Sequence, residues 1–156
     1  AICKKIRNEV ENVAITSDFI VGFPGETREQ FEETLSIIDE AELDYSNTAI
    51  YSPRKQTPAA TYRDRFIDLK TKKERIAILN QKVKDASVLS NKKYIGKTLE
   101  VLVEGHLENN AKNILSGRTR NNKVVHFEGN DDLIGNLVNV KMDEALIWCL
   151  KGHVEI

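Results

Sequence analysis

The hydrophobic pattern changes period at Gly96, and that change divides the chain into two kinds of fold. Before it, apolar residues recur at helical spacing, interrupted by two short apolar runs. After it the helical period disappears, and short β-type runs alternate with turn residues. The order predicts an α/β segment followed by an all-β segment. A length of 156 residues is enough for two such modules.

Ile2, Ile6 and Val10 lie four apart and mark one stripe of a short helix. Val13-Ala14-Ile15 leads into Asp18-Phe19-Ile20-Val21, an apolar run stopped by Gly22 that reads as a strand buried on both faces. After Gly22-Phe23-Pro24-Gly25-Glu26, Thr27 and Gln30 form a capping box, with Phe31, Leu35, Ile38 and Ala41 behind them at helical spacing. A second strand is expected over 47–51, and Pro53 and Pro58 bracket the turn after it. Helix–strand–helix–strand order implies parallel strands. From Leu69, the positions Ile76, Leu79, Val83 and Ala86 describe a long amphipathic helix, with Lys70, Lys72, Lys73, Arg75, Lys82 and Lys84 mostly off its stripe. The expected organisation is an α/β segment over 1–68, a linking helix over 69–93 and a β-module over 94–156.

Five β-type runs follow: Leu99–Val103, Ile114–Ser116, Val124–Phe127, Leu137–Met142 and Ala145–Leu150. Gly105, Asn109-Asn110, Asn121-Asn122, Gly129-Asn130 and Gly135-Asn136 separate them. Five short strands in this length suggest a small closed β-barrel, which leaves no sheet edge exposed. Trp148 is expected in its core.

Total charge is nearly balanced, with 23 Lys+Arg against 24 Asp+Glu, but its distribution is uneven. Residues 1–62 carry 6 basic and 11 acidic side chains, 63–97 carry 11 and 4, and 98–156 carry 6 and 9. A basic middle third could meet a polyanion or simply solvate a helix face. No apolar run is long enough to span a bilayer and the start has no signal-peptide core, so a soluble, cytoplasmic protein without membrane contact is expected. Cys3 and Cys149 have 145 residues between them, which excludes a disulfide framework or CxxC spacing. His106, His126 and His153 are scattered and lack metal-ligand spacing. The opening on Ala1 within a helical pattern suggests a piece of a longer protein.

The glycine turn after the first strand sits where α/β units bind ligands. Gly22 and Gly25 remove side chains and Pro24 stiffens the turn, so backbone there could meet a planar ring or a sugar, although the same residues also suit a tight turn. It is not a phosphate cradle: the Lys-Ser/Thr ending of a P-loop is absent and Glu26 would repel an anion.

Asp18-Phe19-Ile20-Val21-Gly22-Phe23-Pro24-Gly25-Glu26 resembles the GxIxGxxGE element of radical S-adenosylmethionine (SAM) enzymes, with Asp18 in place of the first glycine. Continued by Thr27 and followed by Tyr51-Ser52-Pro53-Arg54 and Thr57-Pro58-Ala59, it resembles the methylthiotransferase branch. Residues 96–156 resemble a TRAM domain, a small RNA-binding β-barrel. Gly96 to Gly105 and Gly117 to Phe127 are most similar to the tRNA-modifying MiaB-type branch.

The resemblance implies the end of a partial radical SAM (β/α) barrel, a linking helix and a TRAM barrel, together the carboxyl-terminal part of a methylthiotransferase. It implies that the whole enzyme uses SAM and two 4Fe-4S clusters to convert an isopentenyl-adenosine beside the tRNA anticodon to its 2-methylthio form. Asp18, Ile20, Val21, Gly22, Gly25, Glu26, Tyr51 and Ser52 would then belong to the SAM wall, and Arg118, Arg120, Asn122, Lys123 and Lys141 to the contact with the tRNA anticodon stem-loop. Arg118 and Arg120, at alternate positions, can share one face of a strand. Neither cluster-binding cysteine set is present, so no catalytic residue, metal or bound cofactor is expected on this chain, which would be inactive alone. Lys55-Gln56 stand where the related loop has Pro-Gly. An exposed strand edge near Ile20 would favour self-association. Other methylthiotransferase branches, acting on threonylcarbamoyl-adenosine tRNA or a ribosomal protein, a stand-alone RNA-binding adaptor and a structural subunit remain open alternatives.

Overall fold

A computed structural model describes residues 2–107 and 113–155. The expected Asn109-Asn110 turn lies outside the described residues. Internal contacts divide the chain into two compact units, one formed by Ile15–Ala86 and the other by the segments on either side of it. No helix among the described residues is long and apolar enough to cross a membrane.

In the first unit, β1 (Thr16–Val21) pairs in parallel with β2 (Tyr45–Ile50), in register from Thr16↔Tyr45 to Val21↔Ile50. Between them runs α2 (Arg28–Glu40), opened by the capping box: Thr27 Oγ1 accepts the Gln30 N–H at 3.2 Å while Gln30 Oε1 accepts the Thr27 N–H at 3.0 Å. Two 3-10 turns, Pro58–Thr61 and Arg63–Arg65, lead to the 24-residue helix α3 (Leu69–Lys92). Val21, Phe31, Ile38, Leu43, Leu79 and Val83 form the core, with Leu35, Ala41, Ile76 and Ala86 packed on it.

The expectation that β1 is buried on both faces is corrected. Its residues alternate in exposure, only Val21 is fully buried, and Ile20 is 58% exposed. The described sheet has two strands, and one face meets the helices. Asp18, Ile20, Tyr45 and Asn47 lie on the other face, where Asn47 Nδ2 donates to Asp18 Oδ1 at 2.8 Å.

In the second unit, β3 (Thr98–His106), β4 (Ile114–Thr119), β5 (Val124–Glu128), β6 (Leu137–Ala145) and β7 (Leu150–Val154) close a barrel in the order β3-β4-β5-β7-β6. All neighbours are antiparallel except β5 and β7. Val101, Val103, Leu115, Val125, Phe127, Val140, Met142 and Leu150 fill it, and Tyr94 joins them. The same unit contains α1 (Ile2–Glu9), whose Ile2 and Ile6 are exposed.

The last strand is displaced from its expected position. Ala145 ends β6 and Leu150 begins β7; the link is a tight turn in which the Leu146 N–H donates to the Cys149 carbonyl at 2.9 Å. Trp148 lies in that turn and is 54% exposed, so it is not a core residue. Turn geometry carries the indole outward despite its hydrophobicity.

Candidate functional site

The first candidate site is built where β1 and β2 end. Gly22 adopts φ +75° and Gly25 φ +83°, left-handed conformations that fold the chain back at little steric cost. The turn consumes its own donors. Gly22 N–H donates to Glu26 Oε2 at 2.8 Å, Glu26 N–H to the Phe23 carbonyl at 2.9 Å, and Gly25 N–H to the Arg65 carbonyl at 2.8 Å. With these amides engaged, the turn offers a ligand apolar surface and carbonyl acceptors, which suits a neutral ring bearing an amine better than a phosphate.

Glu26 faces inward. Its side chain is 10% exposed and pairs with Arg75, itself 12% exposed, whose Nη1 also donates to the Glu26 carbonyl at 3.0 Å. Lys72, expected off the apolar stripe, is only 9% exposed, and its Nζ donates to the Tyr51 carbonyl at 3.2 Å. Its aliphatic stem fills the space beside Gly22, where an added Cβ would stand 2.6 Å from Lys72 Cγ. The bare face of Gly22 therefore accommodates this lysine. Gly25 is more open, with Arg65 Cδ the nearest neighbour at 3.8 Å.

Three aromatic rings meet beside the turn. Tyr51 packs edge-on to Phe23, centroids 5.1 Å apart, and to Phe66 at 6.4 Å. Phe23 is 46% exposed. The Tyr51 hydroxyl is buried and has no hydrogen-bond partner among the described residues, a costly state that a ligand acceptor would relieve. Ser52 follows Tyr51 and is exposed. Gln56 has φ +68°, the left-handed backbone that glycine would take most easily, so the loop bends there despite carrying Lys55-Gln56.

The second candidate site is on the barrel. Arg118 and Arg120 both point outward, with buried Thr119 between them. Each leans on a β3 carboxylate: Arg118 Nε lies 3.2 Å from Glu104 Oε2, and Arg120 Nε 3.1 Å from Glu100 Oε1. Asn122 has φ +64° in the β4–β5 turn, and its Oδ1 accepts from Arg118 Nη1 at 2.9 Å. Lys141 stands on β6 opposite Thr98, half-buried.

Lys123 does not join this face. It is 9% exposed, and its Nζ lies 3.0 Å from Ser90 Oγ and 5.7 Å from the Tyr94 ring centre, a polar interior contact that spacing from Arg120 could not reveal. Sequence reasoning also missed Lys72, Arg75 and Phe66. The i, i+3 spacing of Lys72 and Arg75 was the available signal for the two cations.

Among the described residues no three His, Cys, Asp or Glu side chains group as metal ligands. Cys3 and Cys149 are free and half-buried, and burial raises the Cys149 thiol pKa above its ordinary value.

The barrel points to a class: residues 92–154 match the model of the TRAM domain, and the five-stranded closed barrel is consistent with that likeness. The likeness extends further. The chain is 49% identical over 153 residues, 98% of its length, to the tRNA-2-methylthio-N(6)-dimethylallyladenosine synthase of Bacillus cytotoxicus. It is 49% identical over 150 residues to the synthase of Bacillus licheniformis, and 48% identical over 153 residues to that of Geobacillus kaustophilus. The matches cover 98%, 96% and 98% of this chain but only 30%, 29% and 28% of the three relatives, so the chain spans under a third of their length.

Proposed function

We propose that the chain is the carboxyl-terminal segment of a radical SAM methylthiotransferase that modifies C2 of an N6-isopentenyl-adenosine next to the tRNA anticodon. The similarity over nearly the whole chain carries this reading, because it includes both the turn at the end of β1 and the barrel. In this reading β1, β2 and α2 are the end of the SAM-binding barrel, α3 is the linking helix, and the TRAM barrel holds tRNA in the cytoplasm.

The residues at the strand ends fit a SAM adenosine. Ile20, Phe23 and Gly25 would supply apolar surface and open backbone, Tyr51 its unpartnered hydroxyl, and Val21, Gly22 and Ser52 the surrounding backbone. Asp18 stands one rung deeper on the exposed sheet face, held by Asn47. Glu26 acts from behind by closing the turn. When bound, SAM and the two 4Fe-4S clusters supply the radical and sulfur chemistry; residues elsewhere in the longer protein would hold the clusters. The segment alone would be inactive.

On the barrel, Arg118 and Arg120 would contact phosphates or unpaired bases, with Asn122 orienting Arg118 and Lys141 adding charge. Lys123 would support the module from inside. The unpaired outer edges of the two-stranded sheet would favour self-association of the isolated segment, visible as a concentration-dependent mass in sedimentation. The direct test is tRNA binding across a salt series, comparing wild type with Arg118→Glu/Arg120→Glu. Affinity that falls with salt and weakens in the variant is expected. Equal binding by both proteins would remove the arginine face from the proposal.

A further inference from the structure

We infer that Lys72 and Arg75 are positioning residues for the ligand wall: they hold the Gly22–Glu26 turn and the Tyr51 carbonyl in one arrangement without touching the ligand. The inference rests on the cofactor reading of that wall and assigns the pair a role beyond it.

The two cations start from one place and reach different parts of the wall. Three residues apart on the opening turns of α3, they share a helix face. Lys72 spans both loops: its stem lies against Gly22, its ammonium donates to the Tyr51 carbonyl, and Nζ stands 5.4 Å from the centre of the Tyr51 ring. Arg75 ties the turn to itself. It binds the Glu26 carbonyl and carboxylate, and that carboxylate accepts the Gly22 N–H, so one guanidinium connects the first and last residues of the turn. Its other support is the Phe31 ring, 5.5 Å away.

Burying long cations is unfavourable unless their donors are satisfied. Here the satisfying acceptors are the backbone carbonyls and carboxylate that define the wall. Packing alone would have accepted Leu or Met at both positions. Directed charge instead fixes where the Tyr51 carbonyl and the turn lie relative to one another. Lys70, Lys73 and Lys84 on the same helix are exposed, which separates this pair from the general basic character of α3.

The test uses Lys72→Met, Arg75→Met and the conservative Arg75→Lys. In the 156-residue chain, amide exchange at Gly22 and Gly25 should accelerate about tenfold or more in both Met variants, with barrel amides such as Val101 unchanged as a folding control. In the full-length protein that carries this segment, equilibrium dialysis should show SAM dissociation constants raised about tenfold. Turnover at saturating SAM and the KM for tRNA should stay near wild type, and Arg75→Lys should recover part of the lost affinity. Faster exchange with unchanged SAM affinity would overturn the inference, as would unchanged exchange in folded Met variants. Failure of the wild-type protein to bind SAM would instead overturn the cofactor reading.

Discussion

The α/β unit and the barrel use the same kind of side chain in opposite ways. On the barrel, Arg118 and Arg120 lie outside, each against a glutamate that is itself partly solvated. In the α/β unit, Lys72 and Arg75 lie underneath, against backbone carbonyls and a carboxylate that water barely reaches. Exposed pairs of the first kind contribute at most about 1 kcal/mol and exchange readily for another anion. Pairs of the second kind hold a shape, and removing one partner leaves a buried charge. A cation's chemistry is therefore set by its acceptor and by water, and the barrel contains its own exception in Lys123.

The largest test of this contrast concerns the two cores. Leu115 in the barrel and Leu79 in the α/β unit are both fully buried. Replacing either with Ala should cost about 2–5 kcal/mol. Thermal unfolding followed by residue-resolved exchange should place each loss in its own unit; a shared transition would break the division. Next come the glycines. A Cβ at Gly152 would stand 2.1 Å from the Lys141 carbonyl oxygen, which is backbone, whereas one at Gly22, already at φ +75°, would press on the buried, anchored stem of Lys72. Gly152→Ala should cost about 1–3 kcal/mol by urea denaturation from its conflict with backbone, whereas Gly22→Ala adds a left-handed backbone penalty of about 1–2 kcal/mol to its own clash.

For RNA, the Arg118→Glu/Arg120→Glu protein should lose about tenfold or more in tRNA affinity, and its salt slope should fall by about 1.4–1.8 if each arginine neutralises one phosphate. Lys123→Met should leave that slope unchanged while lowering the melting temperature, because its ammonium is inside. A slope change in Lys123→Met would erase the distinction between inner and outer cations.

Smaller effects refine the picture. Gln56→Gly should stabilise the α/β unit by about 0.5 kcal/mol in chemical denaturation, since glycine adopts the left-handed backbone without a Cβ penalty. The pH response should belong to the barrel unit, which holds all three histidines. Burial, aided by Lys151, lowers the His126 pKa from its ordinary 6.5. The unfolded chain then takes up that proton more readily, so the barrel loses stability as pH falls below about 6.5 toward the folded value. His126→Gln should flatten that part of a melting-temperature profile.

The local features were legible because they are decided within a few residues. Thr27 and Gln30 sit three apart and make the capping box, and the turn residues around Asn122 and Gly135 separate strands where expected. The parallel pairing of β1 and β2 followed from the helix between them. The position of the cations was not legible, because their acceptors are distant: Tyr51 is 21 residues from Lys72, Glu26 is 49 from Arg75, and Ser90 is 33 from Lys123. Trp148 failed for a related reason, since hydrophobicity indicates a preference for burial and the β6–β7 turn determines the outcome.

Closure of the barrel also bears on how such a module could be inherited. Its five strands satisfy one another around a ring, so a neighbouring chain finds no row of open amides on which to build. A module of that kind can be appended to a new enzyme without disturbing its host's sheet. Among the described residues the β1–β2 pair leaves an edge open on each side, so a strand added there would become part of its fold.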